Sequence, residues 1–152
     1  MTFPSIHRAV TTTWTSSETP DMAVGTRVNE GSNEYMMVKN GAAAVAVVGT
    51  PAYPMTAALA GHGIVGKDAD RLNATSPALG AHVSAIPAGG YGFILTKGWF
   101  ASLYGDAAIA AGEAIYANAD IFDTAVHGTH HICGYAADAD TASVFPGSLF
   151  CA

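Results

Sequence analysis

The chain has 152 residues, half of them hydrophobic and only 12% charged, with a formal net charge of −6. That length supports one domain with a sizeable core. The six basic residues (Arg8, Arg27, Lys39, Lys67, Arg71, Lys97) are scattered, which argues against a nucleic-acid partner held through clustered phosphate contacts.

No apolar run approaches the roughly 18 residues of a membrane helix, and Ala42 to Val48 is the longest. Ordinary soluble domains carry about 25% charged residues. A compact fold of 15.5 kDa exposes on the order of 7,200 Å², which six basic and twelve acidic side chains cover thinly. The remaining surface is Ala, Gly, Ser, Thr and aromatic, better packed against something than left in water. This is a first indication of an assembly protein.

Residues 1–20 read as an extended N-terminal arm, and residues 21–152 as a single β-rich domain. The arm is rich in Ser and Thr around Trp14, bracketed by Pro4 and Pro20. Branching at Cβ favours extended backbone through Thr11, Thr12 and Thr13. One reading is a partly ordered terminus. The other is a partner-binding arm, Thr11, Thr12, Thr13, Trp14 and Thr15, that adds a strand to a neighbour and buries Trp14 there. On that second reading, deleting residues 1–20 weakens assembly and leaves folding intact.

Val24 to Asn29 and Glu34 to Lys39 read as two strands of a hairpin around Gly31-Ser32-Asn33. Met36 and Val38 would share one face, Tyr35 and Met37 the other. Gly41 to Val48 is Ala-rich, and its period does not decide between a helical turn and a strand. Residues 50–80 hold three prolines and four glycines and read as a long irregular loop, with a short helix around Met55 to Leu59 as an option.

The stretch after Ala81 is the centre of the chain. Alternation places Tyr91, Phe93 and Leu95 on one apolar face, with Gly92, Ile94 and Thr96 opposite. Gly98 marks a bulge or bend that re-aims Trp99 and Phe100. Further strands follow around Glu113 to Tyr116, His130 to Ala136 and Ser143 to Cys151. Pro146 predicts an edge or bulge in the last. Many short strands with few helix signals indicate an all-β fold: a compact antiparallel barrel or sandwich-like (β-tulip-like) domain with at most one or two short helices.

Candidate chemistry is sparse. Gly61 to Gly66 matches GxGxxG, but no acidic residue follows about 20 positions on, where Ile86 stands. His127, His130, His131 and Cys133 are the one cluster of metal-ligand types, and it lacks a second paired motif. Histidines lining a turn are the plainer reading. Asp68-Ala69-Asp70 and Asp138-Ala139-Asp140 lack the glycine and glutamate of a calcium loop. No nucleophile, phosphate-loop or zinc-protease motif is present, so no catalytic residue and no cofactor are assigned. Cys133 and Cys151 form no disulfide framework, and MTFPSIHRAVTTTW lacks the apolar core of a secretory signal. Both thiols are expected free, in a protein made in a reducing cytoplasm.

Ile86 to Gly92, Gly98, Ala111 to Tyr116, Ile132 to Ala136 and Leu149-Phe150 together resemble the small capsid decoration (cement) proteins of tailed bacteriophages. Gly25-Thr26, Glu34-Tyr35 and Val38-Lys39 look like the N-terminal part of the same pattern. The resemblance covers about residues 24–49 and 81–152 and leaves 50–80 unmatched.

It implies a non-enzyme on the virion's capsid exterior, made in the bacterial host cytoplasm. Its partners would be the major capsid protein and its own copies, as a homotrimer or a dimer. Its output would be stabilisation of the shell against packaged DNA. Candidate contacts between copies are Trp99, Phe100, His62 and His82. A carbohydrate- or receptor-binding β-module of a virion is the alternative, with Trp14, Trp99 and the tyrosines as stacking surface. A small metal-dependent enzyme built on the histidine cluster is a weaker third.

Overall fold

The computed structural model describes residues 9–55, 64–67, 76–105, 108–124, 132–139, 141 and 143–151. All regular structure among them is β. The expected hairpin is present as β1 (Arg27–Glu30) and β2 (Asn33–Asn40). Its turn is the pair Gly31-Ser32, with Gly31 at φ 61°. Asn33 belongs to β2 rather than to the turn, and that position proves important.

The segment expected as an irregular loop contributes strands instead. β3 (Pro51–Pro54) and β4 (Ile64–Gly66) lie within it, and β5 (Gly80–His82) begins at its end. Prolines are tolerated because they stand at the first and last positions of β3, where fewer ladder bonds are needed. The optional helix at Met55 to Leu59 falls almost wholly outside the described residues. Met55 itself continues the strand, its N–H donating to Ile64 O at 3.2 Å. Gly41 to Thr50 is neither helix nor strand but an irregular loop shaped by a buried side chain. Asn40 donates from Nδ2 to Ala44 O (2.9 Å) and Ile86 O (3.0 Å) and accepts from Ala42 N at Oδ1.

β6 (Tyr91–Tyr104) is the 14-residue spine, followed by β7 (Ala114–Asn118), β8 (Ile121–Asp123), β9 (Ile132–Ala136) and β10 (Val144–Phe150). The strands form one mixed sheet in the order β1-β2-β4-β3-β5-β6-β10-β9-β7-β8. An additional β2–β6 pairing closes β2, β4, β3, β5 and β6 into a ring. Among the described strand pairs only β2–β4 is parallel. On the other side, β10, β9, β7 and β8 continue from β6. A parallel bridge from Gly105 to Phe122 returns β8 to the end of β6. β6 therefore belongs to both halves.

Pro146 sits at the register shift between Phe145 and Gly147, where it alone opposes Ala101 and Ser102, so the extra residue lies in β6 and not in the proline's own strand, which is flanked on both sides. β2 alternates as expected. Met36 and Val38 join Ala52, Val65, Ile86 and Ile94 in one core, whereas Tyr35 and Met37 join the larger one. β6 departs from the expectation of a single apolar face. Phe93 and Leu95 enter the large core with Leu103, Ile115, Phe122 and Phe145, yet Ile94 is fully buried opposite. The loop after β2 and the turn around Ile86 cover that second face. Each such side chain contributes about 1.5–3 kcal/mol of burial free energy.

The change of partner along β6 occurs at Gly98. Tyr35 faces Leu95 but Glu34 faces Lys97, which leaves Thr96 as the extra, bulged residue. Thr96 Oγ1 lies 2.7 Å from Glu34 Oε1 and 3.1 Å from Glu34 O. Beyond it a side chain replaces the backbone rung. Trp99 N donates to Asn33 Oδ1 at 2.9 Å, and Asn33 Nδ2 donates to Trp99 O at 3.0 Å. Gly98 adopts φ 119°, and a Cβ there would run into the Asn33 side chain. Gly98→Ala is therefore expected to lower the free energy of unfolding by roughly 2–4 kcal/mol, read from urea denaturation at neutral pH.

Candidate functional site

Past Gly98, the cross-strand register builds a continuous outer face. Trp99 pairs with Ser148, Ser148 with Tyr135, and Tyr135 with Ala114, one row across four strands. Lys97 opposes Phe150 in the adjacent row, on the same side by the period of two. Inward residues of these strands, Phe145, Leu149, Cys133 and Ile115, are buried in the large core. The outward ones are not. Trp99 is 51%, Tyr135 49% and Phe150 45% exposed, grouped around the small Ser148.

Tyr135 and Phe150 touch at a ring-centroid distance of 5.8 Å with a tilt of 45°. Ile132, 42% exposed, opposes Tyr116 and extends the face along β9 and β7. Single exposed apolar residues are ordinary on proteins, whereas three half-exposed aromatic rings on one sheet face, two of them in contact, are a candidate contact surface. Compared with known protein families, curated proteins and solved structures, the chain matches none.

Of the candidate contacts read from the sequence, Trp99 lies in this face. Phe100 points the other way, half-buried against the large core. His62 lies outside the described residues. His82 must be corrected: it is 3% exposed inside the fold and presents no surface to a neighbouring copy. Tyr135 and Phe150 were not singled out in the sequence. The alternation in β9 and β10 was legible, but which face looks outward was not.

The arm residues also need correction at their centre. Trp14 is 5% exposed and packs in the chain's own large core, edge-on to Phe93 at 6.3 Å between ring centroids. Its N–H and C=O both pair with Tyr91 at 2.9 Å, so it does add a strand-like bridge, but to its own β6. Thr12 and Thr13 are half-buried beside it, while Thr11 and Thr15 are exposed. A tight turn follows, in which Thr15 N donates to Glu18 Oε2 at 2.6 Å and Glu18 N to Thr15 O at 3.1 Å. Trp14→Ala is therefore expected to cost roughly 3–5 kcal/mol in urea unfolding. Deleting residues 1–20 should lower the melting temperature, contrary to what a free arm predicts.

Cys133, the described member of the His127, His130, His131 and Cys133 cluster, turns inward. It is 4% exposed, and the Cys151 thiol lies 3.9 Å from its carbonyl oxygen. Neither thiol is in a disulfide. The hydrogen bond between the two thiols, with burial, pushes Cys151 well above the usual thiol range. No group of three metal-ligating side chains occurs among the described residues.

Burial lowers the His82 pKa to about 4 from its ordinary 6.5. A depressed histidine pKa means that the unfolded chain takes up the proton first as pH falls. The stability contribution is thus intact above about pH 6.5 and is lost between there and about pH 4. The expected loss totals roughly 3 kcal/mol across that window. Urea unfolding at pH 7, 5.5 and 4.5 checks it, with His82→Phe flattening the dependence.

Proposed function

We propose that this chain is a binding protein without catalytic output, a decoration protein that docks on the outside of a phage capsid lattice. The observation that carries the reading is the outer face of β6, β10 and β9, where Trp99, Tyr135 and Phe150 stand half exposed on one continuous sheet. Aromatic anchors of this kind dominate the energetics of protein contacts. Strand-borne side chains also lose little freedom on docking. The thin charge of the chain and its sequence resemblance to capsid decoration proteins support the same reading.

The partner in this reading is a major capsid protein. Contact among copies around a symmetry axis would repeat one heterologous surface. The stabilisation delivered to the shell would equal the binding free energy summed over many sites.

Co-sedimentation with empty, expanded shells of the cognate capsid protein tests the proposal. Saturable binding at a fixed ratio to capsid subunits is expected. The double variant Trp99→Ser and Phe150→Ser should keep the wild-type melting temperature within a few degrees and bind at least tenfold more weakly. Binding to glycans with no affinity for shells would favour the carbohydrate-binding alternative instead.

A further inference from the structure

The interior behind the aromatic face holds two cysteine side chains with no part in that face. Cys133 in β9 is 4% exposed, and Cys151, just past β10, is 7% exposed. Alternation alone would not bring them together. Leu149 of β10 pairs with Gly134, so simple continuation of the ladder sets Cys133 beside the outward Phe150. A bulge reverses this. Ile115 pairs with Gly134 and Tyr116 with Ile132, which leaves Cys133 as the extra residue of β9 against β7. Its side chain turns into the large core, where Cys151 also lies. The two thiols are hydrogen-bonded to each other, and Cys151 Sγ is 3.9 Å from Cys133 O.

Opposed Cα atoms on neighbouring antiparallel strands stand about 4.5–5.5 Å apart. A disulfide spans about 4.4–6.8 Å between Cα atoms, so thiols in contact across such strands can join without the strands parting. The two sulfurs also differ in character. The hydrogen bond from Cys151 holds Cys133 below the usual thiol range, against burial and with help from the Ala117 backbone. Cys151 is raised instead. Cys133 is thus the sulfur that reacts first, and Cys151 the one that resolves. Access comes at the end of the ladder. The last rung from β10 to β6 is Phe150 with Lys97, and the last to β9 is Leu149 with Gly134. Cys151 lies beyond both, where strand ends open locally.

We propose that Cys133 and Cys151 are a modification site, a dithiol that a small peroxide closes to an intramolecular disulfide between β9 and the end of β10. In the first step the Cys133 thiolate attacks one oxygen of hydrogen peroxide. The O–O bond breaks, hydroxide leaves and takes up the proton Cys133 had released, and Cys133 becomes a sulfenic acid. In the second step the Cys151 sulfur attacks the Cys133 sulfur. The S–S bond forms, the S–O bond breaks, and the leaving hydroxide departs with the Cys151 proton as water. The two thiols together give up two electrons, and the peroxide is reduced to two waters. A reducing compartment keeps the pair open, and oxidising surroundings close it. The crosslink ties the two strands together behind Tyr135 and Phe150 and does not depend on what those rings dock on.

Peptide mapping by mass spectrometry tests this on the folded full chain, exposed to hydrogen peroxide at neutral pH without denaturant. The expected product is one peptide pair joining Cys133 to Cys151, with no oxygen on either sulfur, reopened by dithiothreitol. The bond closes a loop of 18 positions. The closed form should therefore melt roughly 5–10 °C above the same sample after dithiothreitol. In Cys151→Ser the reaction should stop at Cys133 sulfenic acid, trapped by dimedone. Cys133→Ser should leave the Cys151 thiol unmodified at the same dose. Sulfinic or sulfonic acid in place of the wild-type crosslink, or disulfide-linked dimers in its place, would overturn the inference. So would two intact thiols at a dose that crosslinks the urea-unfolded chain. Should either serine variant fail to fold, the wild-type peptide map decides alone.

Discussion

The fold depends on a side-chain amide that takes the place of a backbone rung. Where β2 leaves β6, Asn33 presents both its carbonyl and its amino group to the backbone of Trp99. This lets one strand of 14 residues serve two sets of partners without leaving its backbone groups unmet at the crossing. The pairing needs close approach, and Gly98 provides it with a left-handed backbone and no Cβ. Tyr35 reinforces the arrangement by accepting from Asn33 Nδ2 through its hydroxyl at 2.9 Å. The bulged Thr96 does the same on the other side through Glu34, whose carboxyl is held below its usual pKa range by Thr96 and then by Arg27.

From that joint the two halves acquire different characters. On the β2 side both faces of β6 are covered, and the strand is interior in every sense. On the β10 side one face remains open, and it is the aromatic one. Trp99 stands immediately after the joint, its backbone held by Asn33 on one side and paired with β10 on the other. A large side chain on a backbone so constrained is pre-organised for contact, since little freedom remains to be lost. The same constraint that solves a hydrogen-bonding problem thus sets out the candidate interface.

The interior carries polar groups that a purely apolar core would not need. Asn40 uses both ends of its amide to shape the loop after β2, so its burial is answered. His82 is answered at only one nitrogen. These two residues border the same cleft, and only Asn40 has both ends of its side chain answered. The distinction rests on a count of donors and acceptors rather than on burial, which is nearly equal for the pair.

Local pattern was a good guide where neighbours in sequence are neighbours in space. The β1–β2 hairpin, the alternation of Tyr35 through Val38, the left-handed backbone at Gly98 and the register shift at Pro146 all follow from residue period and from glycine and proline stereochemistry. The 50–80 segment was misread because strands of three or four residues have no measurable period. Their β conformation comes from pairing with distant strands. Trp14 was misread for a related reason. A lone tryptophan among threonines looks unpartnered until β6 supplies Phe93 and the Tyr91 backbone.

The amino-acid sequence by itself determined that this chain is all-β, thinly charged and organised around the strand that contains Gly98, because composition and side-chain period act through nearest neighbours. Only the tertiary structure decided which faces are closed. Ring closure by β2 on β6 buried Ile94 and His82, while the opposite half of β6 left Trp99, Tyr135 and Phe150 outward. Alternation assigns residues to two sides of a strand, and it takes long-range packing to say which side meets water.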